Sequence, residues 1–267
     1  MDEFELILTD ICKCSRAELY SGAFRKVLNG AQIERLEKIL KKRGRAVPVQ
    51  YGLGYADFMG LVFKVNKRVL IPRPETEQLV EAALEIVSAE KNDQPACRIL
   101  DIGTGSGCIA IALAKYCRRP TDIVALDISP EALEVAYENA VAHSVEKKMR
   151  FLESDVCTHA FFAKEPVFDL IVSNPPYVPF KEIGQFDPTT TREPRIALDG
   201  GRDGCSMYRR LSKEVLAHLA EDGVFIFELG AYQSDTIRDI FSDGWKIERF
   251  ISDYNGFERI CIARARK

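Results

Sequence analysis

The chain has 267 residues, of which 46% are apolar and 29% charged, a balance that excludes disorder and allows one large domain or two modest ones. A formal charge of −3 and an isoelectric point near 5.8 argue against a stable nucleic-acid partner. No run reaches the apolar length of a membrane span, and the acidic start Met1-Asp2-Glu3-Phe4-Glu5 is unlike a signal peptide, so the chain reads as cytoplasmic with no membrane partner.

The first fifty residues read as a small helical domain. Ser15-Arg16-Ala17-Glu18 fits a capping box, and Ile33, Leu36, Ile39 and Leu40 fall on one stripe. Within 31–50, Arg35, Lys38, Lys41, Lys42, Arg43 and Arg45 outnumber Glu34 and Glu37, which reads first as a solvated helix face. Gly52 and Gly54 then break the pattern, and Asp57 to Val65 partly alternates as a hairpin centred on Gly60. Residues 1–52 are therefore expected to form one domain, 53–74 a hairpin linker and 75–267 a second domain.

Beyond Ile71 strands and helices alternate. Strands are expected at 98–102, 123–127, 149–152, 167–173, 224–229, 245–251 and 257–263, and helices at 77–88, 108–116, 130–143, 207–220 and 233–241. Ser129 and Pro130 supply an N-cap and a first helical residue. Such alternation implies an α/β fold with a mostly parallel sheet, while Asn255-Gly256 between the last two strands marks a hairpin and hence an antiparallel last strand. Between Val178 and Arg210 three prolines, three threonines and Gly200-Gly201 replace this rhythm, the mark of a long loop that covers or helps to build a pocket. The eight cysteines contain no Cys-x-x-Cys pair, so neither a metal site nor a disulfide framework is indicated.

Two strand ends carry chemistry. After 98–102 comes Gly103-Thr104-Gly105-Ser106-Gly107, a turn that a ligand can approach closely because glycine lacks a Cβ. Position 108 is Cys, so the dinucleotide spacing G-x-G-x-x-G fails at its last glycine. Asp127 ends the next strand, where an acid accepts from ribose hydroxyls, and Asp155 with Val156 follows the third, placed either to contact an adenine amino group and ring or as a solvated turn at a strand end.

The sharpest signal is Asn174-Pro175-Pro176-Tyr177 at the end of a buried strand. An amide or aromatic amine is a poor nucleophile because its lone pair is delocalised. If the Asn174 side-chain oxygen and the Pro175 carbonyl accept its two N–H groups, they offset positive charge as nitrogen attacks, while Tyr177 holds the planar group face-on. No strong base is needed, and His143, His159 and His218 are each isolated in the sequence. Glu228, after the fifth strand of the sheet, points toward the same crevice, with a structural role equally open.

These residues resemble class I S-adenosylmethionine-dependent methyltransferases acting on planar amino groups, whose sheet has seven strands and closes with a hairpin. Ile71-Pro72-Arg73-Pro74-Glu75-Thr76-Glu77, Asp101 to Gly107, Asn174 to Tyr177 and Glu193-Pro194 together resemble the PrmC/HemK family of release factor glutamine methyltransferases. The resemblance implies that 75–267 is the methyltransferase domain and that the reaction is N5-methylation of the glutamine in the Gly-Gly-Gln loop of bacterial release factors. Carried onto this sequence, S-adenosylmethionine would be held by Gly103, Thr104, Gly105, Ser106, Gly107 and Asp127, with Asp155, Val156 and Asn174 beside it. Asn174, Pro175, Pro176 and Tyr177 would hold the glutamine. Val156 departs from relatives that often carry an aromatic there.

Three rivals stand beside that reading. An adenine N6-methyltransferase uses the same tetrapeptide, but no segment after the last strands is left for base reading. A ribosomal-protein glutamine methyltransferase fits the site, with Pro-Glu-Thr-Glu pointing away from it. A non-catalytic nucleotide-binding module would need the glycine turn but have no use for Asn174 and Tyr177.

Overall fold

The computed structural model describes residues 3–21, 28–88, 95–164 and 167–266. Among the described residues four helices come first: α1 (Glu3–Cys12), α2 (Arg16–Tyr20), α3 (Gly30–Arg43) and α4 (Val49–Leu53). Part of the expected helical stretch, 22–27, lies outside the described residues. Ser15 caps α2 with the full capping box to Glu18. Ile7, Ile11, Cys12, Ile39 and Val49 make a small core of their own, but Ile33 and Leu40 are exposed. The apolar stripe of α3 is therefore narrower than its sequence suggests. Arg35 reaches Asp10 at 2.6 Å and Arg43 reaches Glu3 at 2.7 Å, so two of its cations tie α3 to α1.

The hairpin β1 (Tyr55–Phe58) and β2 (Leu61–Lys64) follows, turning at Met59-Gly60. Phe58 and Phe63 enter the large core under the main sheet. Then come α5 (Pro74–Ser88), β3 (Cys97–Ile102), α6 (Cys108–Tyr116), β4 (Thr121–Asp127), α7 (Pro130–Ala142), β5 (Met149–Glu153), β6 (Phe168–Ser173), α8 (Ser206–Glu214), β7 (Leu219–Glu228), α9 (Ser234–Ile240), β8 (Trp245–Ser252) and β9 (Glu258–Ala265). Ser129 caps α7 by accepting from the Ala132 N–H, with Pro130 in the first turn.

The seven-stranded sheet has the order β5-β4-β3-β6-β7-β9-β8, and β9 runs opposite to the other six strands. The α/β fold with an antiparallel last strand is thus the one expected. Two helix boundaries differ by three residues or more. Helix α5 starts at Pro74, since proline fits a first helical position where its missing N–H costs nothing. Helix α8 stops at Glu214, well before Ala220, because Leu219 is drawn into the sheet opposite Phe168 and lengthens β7 backward.

The strand order positions the site. From β3 the chain moves outward through β4 to β5, then returns to place β6 on the other side of β3. Loops leaving β3 and β6 diverge at this switch point, and a crevice opens between them. Ser173 Oγ donates to the Ile102 carbonyl at 2.8 Å and clips the two strand ends together beneath it. Helix α6, buried from Cys108 through Ala114, packs its whole circumference in the core and anchors the glycine turn.

Candidate active site

Two cavities open at the carboxyl edge of the sheet. The first, of about 290 Å³, is bounded by Gly103, Gly105, Asp127, Asp155, Val156 and Asn174. The second, of about 700 Å³, is bounded by Arg73, Tyr177, Pro179, Tyr232 and Arg259, and again by Asn174. Leu70 and Ala197 also face both. Asn174 stands where the two meet.

The glycine turn divides by role. Gly103 and Gly105 have φ of +74° and +56° and present bare backbone to the first cavity. No protein atom outside the adjoining residues lies within 4 Å of a Cβ built on Gly103. Thr104, Ser106 and Gly107 are expected ligand residues that do not line the cavity. Thr104 and Ser106 are buried behind the turn, and Gly107, at φ +81°, packs flush against Ile111 and Ala136. They shape the loop from beneath.

Asp127 accepts from the Gly105 N–H at 2.9 Å and the Ser129 N–H at 3.0 Å. Burial raises its pKa, and those backbone donors oppose the shift. A carboxylate has about four acceptor positions, so capacity remains toward the cavity. Asp155 is met by Arg210 Nη1 at 2.7 Å, a residue of α8 that the sequence reading missed because it lies 55 positions away. Val156 is buried with φ of +56°, a left-handed conformation unfavourable for a β-branched residue. The strain lies at the cavity wall.

Behind Asn174 lies a polar chain. Its Nδ2 donates to Thr76 Oγ1 at 3.0 Å, and Thr76 donates to Glu228 Oε2 at 2.6 Å. Tyr177 OH donates to Glu228 Oε1 at 3.0 Å. Pro175 and Pro176 wall the first cavity while Tyr177 walls the second, so the tetrapeptide spans both. Burial raises the pKa of Tyr177, with Glu228 adding to it, which keeps the phenol protonated.

The long segment after Tyr177 builds cavity walls. Val178 bridges to Asp199, and the Val178 N–H donates to the Leu198 carbonyl at 2.9 Å. Buried Glu193 accepts from the Ile71 N–H at 3.0 Å and from Arg73 at 2.5 Å, fastening the segment to the Pro-Arg-Pro run. Gly200 lies against the Tyr177 backbone, where a Cβ would come within 2.8 Å of Tyr177 Cα. Gly200→Ala is expected to destabilise the fold by about 1–3 kcal/mol by overpacking and to slow turnover by shifting Tyr177. Urea unfolding beside steady-state rates checks both.

Asp101, fully buried, accepts from Thr104 Oγ1 at 2.7 Å. Burial pushes its pKa up to about 7, with the Thr104 hydroxyl opposing in part. The fold therefore favours the protonated acid. Its contribution is fully present below the unfolded value near 4 and is lost as pH rises to about 7. Asp101→Asn is expected to remove about 2–3 kcal/mol of the stability fall between pH 5 and pH 8, read from urea midpoints.

The chain is 38% identical to a release factor glutamine methyltransferase of Koribacter versatilis, over 97% of this chain and 89% of that one. It is 39% identical to one of Chlorobaculum tepidum over the same shares. The chain belongs to the release factor glutamine methyltransferases. Family models agree, with the PrmC N-terminal domain matching residues 2–54 and the methyltransferase small domain matching 81–190.

Solved methyltransferases share the fold of this family member. A ribosomal protein L11 methylase from Lactobacillus delbrueckii subsp. bulgaricus superposes with a TM-score of 0.55 at 20% identity, over 76% of this chain and 84% of that one. The human Mettl16 catalytic domain superposes with a TM-score of 0.61 at 13% identity, over 78% and 76%. Methyltransferase chemistry implies S-adenosylmethionine, and the first cavity fits it: bare glycine backbone and an inward carboxylate suit a nucleoside with a ribose diol. Among the described residues no helix is long and apolar enough to cross a membrane.

Proposed function

We propose that this methyltransferase transfers a methyl group from S-adenosylmethionine to the side-chain amide nitrogen of the glutamine in the Gly-Gly-Gln loop of a bacterial peptide chain release factor. The observation that carries the reading is that Asn174 borders both cavities, so one amide reaches a cofactor on one side and a substrate side chain on the other. The relatives' names supply the substrate class.

Gly103, Gly105 and Asp127 would hold the cofactor, with Val156 and the Asp155–Arg210 pair beside its base. When bound, S-adenosylmethionine supplies an electrophilic methyl on a sulfonium. The chain's own residues orient and polarise the nucleophile. Asn174 Oδ1 and the Pro175 carbonyl accept the two amide N–H groups and stabilise positive charge as it grows on nitrogen. Tyr177 packs against the amide plane and sets its approach. Deprotonation ahead of attack is unnecessary, because nitrogen becomes acidic only as the new bond forms. The helices of 1–52, joined through 53–74 to the catalytic body of 75–267, help to dock the release factor.

The test is transfer of labelled methyl to purified bacterial release factor, beside its Gly-Gly-Gln glutamine→alanine variant and adenine-containing DNA and RNA. Label on the wild-type factor alone supports the reading. Label on nucleic acid, or on the variant factor, overturns it.

A further inference from the structure

Glu228 borders neither cavity and is 1% exposed, yet it holds Tyr177, which walls the second cavity, and Thr76, which meets Asn174. Its carboxylate receives Thr76 Oγ1 at 2.6 Å and Tyr177 OH at 3.0 Å. It stands on β7, an interior strand, with its backbone carbonyl accepting from Tyr208 OH at 3.1 Å, so its position is rigid.

The hydrogen-bond polarity follows from chemistry. Burial raises the Glu228 pKa and the Thr76 and Tyr177 hydroxyls oppose that shift; ionised, the carboxylate only accepts, so each hydroxyl directs its single proton toward Glu228. Thr76 then has only lone pairs to offer Asn174, 3.0 Å away. Lone pairs take the NH2 end of an amide and reject its oxygen. Thr76 is 2% exposed, so water does not compete to reset the order. The Asn174 amide is thereby locked with Nδ2 toward Thr76 and Oδ1 turned away. An amide free to flip would present a donor to the incoming NH2 group in part of the population, and two donors repel.

Resting on the function proposed above, we propose that Glu228 is a positioning residue that fixes the Asn174 amide through Thr76 and the Tyr177 ring directly, so that Asn174 presents an acceptor to the substrate nitrogen. Its role is to set direction. Glu228→Gln keeps shape and volume but introduces an NH2 group that can donate to Thr76 and reverse the chain. Thr76→Val removes the hydroxyl at nearly constant shape, and Thr76→Ser keeps it.

The test combines turnover on release factor with side-chain amide NMR. The Asn174 NH2 signal is assigned by its loss in Asn174→Asp. In wild type one Asn174 amide proton is expected to be protected from solvent exchange, and Glu228→Gln and Thr76→Val are expected to lose that protection. The same two variants should lower kcat about 10- to 100-fold with little change in KM or in S-adenosylmethionine affinity, as misorientation does. Thr76→Ser should recover most of the rate. An unchanged kcat in Glu228→Gln, equal slowing by Thr76→Val and Thr76→Ser, or protection that survives both substitutions overturns the inference. Wild-type enzyme that leaves release factor unlabelled would instead overturn the substrate reading, and the exchange experiment would still decide the role of Glu228. Should Glu228→Gln fail to fold, the Thr76 pair decides it.

Discussion

Asn174→Ala is expected to lower kcat by about 10³-fold while S-adenosylmethionine affinity stays within about threefold, as for loss of one preorganised polar group at a reacting centre. The asymmetry follows from placement. Asn174 is one contact among many in the first cavity, whose glycine turn and Asp127 do not depend on it, but in the second cavity the proposed function makes it the side-chain acceptor for the nucleophile. Alanine also leaves the Thr76 hydroxyl without its donor. Rapid-quench turnover beside calorimetric cofactor binding separates the two effects. A near-normal rate would remove Asn174 from the chemistry.

Asp127→Ala should do the reverse, weakening S-adenosylmethionine binding by about 100-fold with a smaller effect on the rate at saturating cofactor. Two losses combine. The carboxylate holds the turn in shape through the Gly105 and Ser129 N–H groups, each a charge-assisted hydrogen bond of about 1.5–3 kcal/mol, and it would also accept from the ribose hydroxyls. Asp127→Asn separates them: one amide oxygen can keep the Gly105 contact while the second acceptor becomes a donor facing the Ser129 N–H. Its affinity is expected to fall between wild type and alanine. Isothermal titration gives the values, and unchanged affinity in Asp127→Ala would take Asp127 out of the cofactor site.

What was legible in the sequence was local. The glycine turn and Asn174 to Tyr177 are continuous runs at strand ends, and alternation of strand and helix fixes on which edge such runs appear. The closing hairpin was visible at Asn255-Gly256 because turn chemistry is written in adjacent residues. Partners that act across the chain were not visible in the same way. Thr76 meets Asn174 across 98 positions and Glu228 across 152, and only tertiary packing brings them together. The Pro-Arg-Pro-Glu-Thr-Glu run signalled family and not mechanism; folded, its Thr76 belongs to the polar chain and its Arg73 fastens Glu193. Thr104, Ser106 and Gly107 belong to the same run but do not line the cavity, since a motif does not say which of its residues face outward.

The central claim is that two cavities joined at Asn174 bring a methyl donor to a glutamine side-chain amide. Tandem mass spectrometry of release factor after reaction with S-adenosylmethionine tests it most directly, by locating the added methyl within the Gly-Gly-Gln peptide. Methyl on the side-chain amide nitrogen of that glutamine, absent when Asn174→Ala replaces wild type, is the predicted result. Methyl on another residue, or undiminished methylation by Asn174→Ala, would contradict the account.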